Sequence, residues 1–207
     1  MKKLLHIIAT PRDEESRTLK ISQVFLEVFK NKHPDCVIDE LSLFKEELPV
    51  LSIKRVDGKY ILLDGRDLFG KYKEAWQEII AHIERFLSAG AYLISAPMWN
   101  FNIPYALKHY IDIIVQPKYL FRYTDKGVEG LLKDKKMIVI TSRGGDYTGE
   151  QMRMYDTQEP YLRAIFGFAG LTDITFINAQ PMDMGKDTQK QKIEQAQIQA
   201  KKIAESF

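Results

Sequence analysis

One cysteine in 207 residues rules out an intrachain disulfide, so packing alone must hold the chain together. That residue, Cys36, heads the apolar run CVI and reads as a buried, inert thiol rather than a nucleophile, which fits a reducing, cytoplasmic setting. No apolar stretch approaches the ~18 residues that crossing a membrane requires. Met1-Lys2-Lys3 followed by LLHIIA mimics the start of a secretion signal, but His6 interrupts the run and PRDEES ends it, so a first β-strand is expected there. Charge of one sign is also missing: 30 basic and 28 acidic side chains are interspersed to a net +2, and no nucleic-acid partner is expected. The histidines, His6, His33, His82 and His109, have no HxxxH spacing, which sets metal catalysis aside. Absence of GxSxG removes the main support for a hydrolase, and absence of GxGxxG after the first strand argues against tightly held NAD or FAD.

What the chain does have is a regular alternation. Short apolar runs fall at Leu4 to Ala9, Val37 to Leu43, Ala91 to Ser95, Met137 to Thr141 and Ile174 to Ala179. Between and after them, apolar residues recur at helical spacing over Thr18 to Phe29, Leu68 to Leu87, Ile103 to Val115, Tyr161 to Phe168 and Lys186 to Phe207. Strands that are apolar on both faces and separated by helices predict an α/β fold of one domain, 1–207. Its five-stranded parallel sheet is doubly wound in the order 2-1-3-4-5, with helices on both faces. Leu51 to Asp67 has little helical periodicity and is expected to be a loop or small hairpin. Leu120 to Leu132, with Gly127 and Gly130 as turn residues, is expected to be a second insertion.

In such a sheet a ligand sits beyond the carboxyl ends of the strands, at the point where the winding reverses. The loop after the first strand carries Thr10 and ends in Ser16, Arg17 and Thr18 where a helix should begin. Two readings fit: a plain helix N-cap, and a seat for a phosphate monoester on free N–H groups at the positive end of the helix dipole. The loop after the third strand, Pro97-Met98-Trp99-Asn100-Phe101, puts large side chains on a turn. Asn102 is expected as the N-cap of the next helix and Pro104 in its first turn. One aromatic there would be core; four consecutive residues of this kind cannot all face inward, and a flat ring system with free backbone N–H groups beside it is the favoured reading. After the fourth strand, Ser142-Arg143-Gly144-Gly145 offers guanidinium donors and glycines that allow positive φ and close backbone approach. One phosphate, one planar heteroaromatic ring system and donors for its polar edge together describe FMN.

The chain resembles the FMN-dependent NADH-azoreductases, homodimeric flavodoxin-like enzymes akin to NAD(P)H:quinone oxidoreductases. The likeness rests on APMWNFNIP (Ala96 to Pro104) with LKHYID behind it, FRYTDKGVEGLL (Phe121 to Leu132), KKMIVITSRGG (Lys135 to Gly145) and PYLRAIFGFAGLTDITFINA (Pro160 to Ala179). It implies that Thr10, Ser16, Arg17 and Thr18 hold the FMN phosphate, that Met98, Trp99, Asn100 and Phe101 hold the ring system, and that Ser142 to Gly145 contact its polar edge. Trp99 stands where the family usually has Tyr. The resemblance further implies hydride transfer from NADH or NADPH through flavin N5 to quinones and azo compounds in a ping-pong sequence. No acid–base side chain is required for the hydride step, and Tyr123 and Phe168 match family aromatics near the substrate face, with a packing role as the equal alternative for both. The rival is a flavodoxin-type electron carrier, or a flavin-binding regulatory module, without turnover of its own.

Overall fold

The sheet is built outward from its most apolar strand. In the computed structural model, which describes Met1–Phe207, all five residues of AYLIS (Ala91–Ser95, β3) are buried. β3 pairs in parallel with Lys3–Ile8 (β1) on one side and Lys136–Ser142 (β6) on the other. The outer places go to Val37–Ser42 (β2), beside β1, and Asp173–Ala179 (β7), beside β6. β2 is a mixed strand, VIDELS, with Val37 60% exposed, and an edge is where such a pattern is tolerated. The order β2-β1-β3-β6-β7 is the expected 2-1-3-4-5 winding.

Helices cover both faces. On one lie Arg17–Lys32 (α1) and Lys186–Ser206 (α7). Ala196, Ala200 and Ala204 repeat every four residues along α7 and are buried beside Ile21, Phe25 and Phe29 of α1, so small side chains on one helix admit aromatic ones on the other. Each buried phenylalanine contributes roughly 1.5–3 kcal/mol. The opposite face holds the larger core, formed with Gly70–Leu87 (α3), Tyr105–Ile114 (α4) and Gln158–Phe168 (α6). Phe86 stacks there on Tyr92 of β3 at 4.2 Å between centroids.

Two segments differ from the expectation. Ile53–Leu63 (α2) is a helix, not a loop or hairpin. Its only buried residues are Gly58 and Leu62, one turn apart, so it has no apolar stripe to read. Gly58 lies against the indole of Trp76 in α3, and Trp76 Nε1 donates to Arg55 O at 2.9 Å. The second insertion is an antiparallel hairpin of Phe121–Thr124 (β4) and Gly127–Gly130 (β5). Gly127 is a turn residue with φ 108°, but Gly130 is not. A Cβ at 130 would lie 2.5 Å from Gly170 Cα, so this glycine lets the hairpin approach the turn after α6. A one-turn helix, Glu150–Arg153 (α5), completes the chain.

Candidate functional site

Parallel winding brings the ends of β1, β3 and β6 to one rim, where a cavity of about 230 Å³ opens. From the first loop, Thr10, Ser16, Arg17 and Thr18 line it, joined by Arg12. Ser16 is the N-cap of α1, and its side chain accepts from Leu19 N. That bond occupies the third N–H of the helix and leaves those of Arg17 and Thr18 unpaired at the cavity. The two readings of this loop therefore coexist, since the cap fixes the helix end while two donors at its positive pole stay open. The acidic Asp13, Glu14 and Glu15 face water, and Asp13 pairs with Lys45 at 2.7 Å.

Beneath this loop runs a line of buried hydroxyls that sequence reasoning missed. Thr18 Oγ1 and Ser142 Oγ are 2.9 Å apart. Ser22 Oγ donates to Thr18 O at 3.0 Å and sits 2.5 Å from Ser95 Oγ, which lies 2.8 Å from His6 Nε2. This floor ties α1, β3 and β1 together and orients the Thr18 hydroxyl. Ser22 is one turn after Thr18 on the inner face of an amphipathic helix, the one sequence signal that pointed to it.

The second loop contributes Pro97, Met98 and Trp99 to the cavity. It is a tight two-residue turn: Trp99 and Asn102 exchange N–H···O bonds, both 2.9 Å, around Asn100 and Phe101. Those two residues have φ of 46° and 68°, the left-handed region that a type I′ turn demands and that costs a phenylalanine of order 1 kcal/mol. Free N–H groups were expected along the whole turn, but only those of Asn100 and Phe101 are open, because Met98 N donates to Ser142 O and Trp99 N to Asn102 O. Asn102 does not cap α4: its Oδ1 accepts from Ile103 N, and Pro104 occupies the cap position, one residue before the first turn. The Trp99 ring lies 5.8 Å from Phe44 and 6.3 Å from Tyr105. Phe101, 44% exposed, is backed by Tyr155 and Tyr147 at 5.2 and 6.3 Å, and its carbonyl accepts from Thr157.

On the far side of this turn is a second cavity, about 450 Å³, whose wall includes Trp99, Asn100, Tyr105, Lys108 and Tyr161. Burial first, then the nearby Asp112 carboxylate, push the Tyr161 phenol up to about 12, so it remains a hydrogen-bond donor at all ordinary pH.

From the third loop, Ser142 and Gly144 line the first cavity, and the N–H groups of Gly144 and Gly145 are unpaired. Neither glycine has positive φ. Gly144 is instead a close approach: a Cβ there would stand 2.5 Å from Asp183 Oδ2. Arg143 differs most from the expectation of free donors. Its side chain is 2% exposed, with Nη1 2.7 Å from Asp156 and Nε donating to Thr141, and its backbone N–H goes to Ala179 O. Its donors lock the loop and do not face the cavity. Tyr123 and Phe168 are brought together on either side of Phe121, Phe168 at 4.7 Å from it, but neither lines the two cavities. Asp183 was missed; it lies on the stretch between β7 and α7, far in sequence from the loops it joins.

The sequence profile of the flavodoxin-like fold family matches residues 2–204. An FMN-dependent NADH:quinone oxidoreductase of Nitratidesulfovibrio vulgaris is 34% identical over 209 residues, covering all of both chains. The crystal structure of an azoreductase from Bacillus anthracis superposes with a TM-score of 0.90 at 29% identity, again over all of both chains. A FMN-dependent NADH-azoreductase from Bacillus anthracis, solved in complex with FMN, gives 0.85 at 28% identity over 99% of this chain and 100% of its own.

Proposed function

Because this chain belongs to the flavodoxin-like family of the FMN-dependent NADH:quinone oxidoreductases, we propose that it binds FMN at the rim of β1, β3 and β6 and reduces quinones and azo compounds with NADH. The observation that carries this reading is one cavity at the rim lined from all three loops, by Thr10, Ser16, Arg17 and Thr18, by Pro97, Met98 and Trp99, and by Ser142 and Gly144, with the backbone N–H groups of Arg17, Thr18 and Gly144 unpaired. The donor set suits the cofactor. Two N–H groups on a helix N-terminus, with the Thr10 and Thr18 hydroxyls and the Arg17 guanidinium, offer a phosphate ester everything it accepts. The Asn100 and Phe101 amides, on a turn held rigid by its own hydrogen bonds, suit the polar edge of a flat ring system lying along Met98 and Trp99.

Bound there, FMN supplies the hydride and two-electron chemistry that side chains lack. The chain's part is placement. Thr10, Ser16, Arg17 and Thr18 anchor the phosphate, and Thr18 is held by Ser142 so that its hydroxyl needs no reorganisation on binding. Met98 and Trp99 exclude water from one side of the ring site, and the Gly144 and Gly145 N–H groups favour negative charge at its polar edge. The hydride step requires no acid–base side chain. Donor and acceptor would use the site in turn, a ping-pong sequence; Tyr123 and Phe168 pack on Phe121, away from both cavities, and are given no part in it.

A homodimer completes the reading. Val50, Ile53, Tyr60, Phe69 and Tyr105 are 63 to 83% exposed, an unusual set of large apolar side chains to leave in water. A cytoplasmic setting agrees with the lone, buried Cys36.

The test is direct. Protein saturated with FMN and mixed anaerobically with NADH should bleach within seconds and recover its yellow colour on adding a quinone, with parallel double-reciprocal plots in steady state. Bleaching that requires an added reductase would return the protein to the electron carriers.

A further inference from the structure

Arg17 and Asp183 face each other across the mouth of the cavity, with Arg17 Nη1 2.7 Å from Asp183 Oδ1. A carboxylate is an odd lining for a phosphate seat. It is also pinned: Asp183 N donates to Gly144 O at 3.1 Å, and Met182 N bonds the carbonyls of Arg143 and Gly144 at 2.9 and 3.0 Å. The side chain can turn, but its backbone cannot carry it away. Gly144 makes the room, since a Cβ there would collide with Asp183 Oδ2.

Resting on the FMN reading above, we infer that Asp183 is a built-in competitor for the phosphate seat: it occupies Arg17 when no phosphate is bound and weakens the hold on FMN when one is. The charges point the same way. The cavity has two cations, Arg12 and Arg17, and one anion, Asp183, so its net charge is +1. A phosphate monoester brings about −1.5 to −2 at neutral pH. With Asp183 present the seat is under-neutralised by about half to one charge; with the carboxylate removed it balances. Repulsion between two anions gathered on one guanidinium therefore opposes binding of FMN, and it leaves riboflavin untouched because riboflavin has no phosphate. The consequence is a cofactor that exchanges with the free pool.

Asp183→Asn keeps size and hydrogen bonding, and the side chain is 63% exposed, so folding is not at stake. Fluorescence titration should show FMN bound about tenfold more tightly by D183N than by the wild type, with riboflavin affinity equal in both. Arg17→Gln should loosen FMN at least tenfold and leave riboflavin unchanged. Inorganic phosphate reads the same seat without flavin: it should raise the melting temperature of D183N more than that of the wild type. Unchanged or weaker FMN and phosphate binding in D183N overturns the inference, as does equal tightening of riboflavin. Wild-type protein that takes neither flavin sinks the FMN reading, while the phosphate comparison still decides the role of Asp183.

Discussion

Replacing glycine by alanine inside a helix normally stabilises a protein, by up to about 1 kcal/mol, because alanine has the higher helix propensity. At Gly58, in the middle of α2, the opposite is expected. A Cβ built there stands 2.9 and 3.0 Å from Trp76 Cδ1 and Cε2, and closer still to Nε1. The indole is fully buried and cannot back away, and sliding along the helix breaks its 2.9 Å bond to Arg55 O. Overpacking of this kind costs about 1–3 kcal/mol, and loss of the buried hydrogen bond adds about 1 kcal/mol. Against the propensity gain the balance for Gly58→Ala is a net loss of roughly 2 kcal/mol, or about 4–8 °C in melting temperature for a chain of this size.

Urea denaturation measures the loss, and a double-mutant cycle identifies its cause. Trp76→Phe destabilises on its own account by leaving space beside Gly58. If the clash is the mechanism, adding Gly58→Ala to Trp76→Phe costs at least 1 kcal/mol less than adding it to the wild type. A stabilised Gly58→Ala, or strictly additive single mutants, would refute the account of how α2 docks.

Three further outcomes are expected. Asp156→Ala leaves the buried Arg143 guanidinium without its 2.7 Å partner and removes the carboxylate that accepts from Gln158 N and Glu159 N, so denaturation should show a loss of about 3–5 kcal/mol; a loss under 1 kcal/mol would contradict this. The Arg85 guanidinium, then Lys3, hold the Asp39 carboxyl below its ordinary range, against the effect of burial. Because its folded pKa is depressed, Asp39 contributes stability above the ordinary carboxylate pKa of about 4 and loses it as pH falls through the depressed value, so Asp39→Asn should flatten the acid limb of a stability–pH curve. Phe101→Gly relieves a phenylalanine held at φ 68°, and stability should change by under about 1 kcal/mol while FMN and riboflavin affinities both fall at least fivefold. Loss confined to FMN would place Phe101 at the phosphate instead of the ring.

The sheet was legible because its strands are short apolar runs and its crossover helices carry full apolar stripes, as in Ile79, Ile83 and Phe86 of α3. α2 was not, because it docks through Gly58, and a helix that packs by having no side chain leaves nothing periodic in the sequence. Gly130 misled in a related way: a glycine near a turn suggests a special φ, whereas this one answers to the backbone of Gly170. At the site, Ser16, Thr18, Met98 and Trp99 could be found because loops at the ends of parallel strands must meet. Arg143 was misjudged because an arginine beside two glycines reads as a ligand donor until the buried acid that claims it is seen. Asp183 was invisible because nothing local announces a carboxylate that arrives from the end of β7.

The chain's near-neutral charge also shows why composition says little about what it binds. A net +2 over 207 residues predicts no anion site, yet the rim holds six backbone N–H groups without partners and the positive end of α1. Such donors belong to the backbone, so they add nothing to a charge count and differ in no residue letter from donors buried in a helix. They become a site only where capping by Ser16, the positive φ of Asn100 and Phe101, and the approach of Asp183 to Gly144 leave them open together. In the proposed site the phosphate is read by the end of the first loop together with Arg17 and Asp183, so substitutions that keep that turn and this pair should preserve binding even when they change the charge of the surface beyond them.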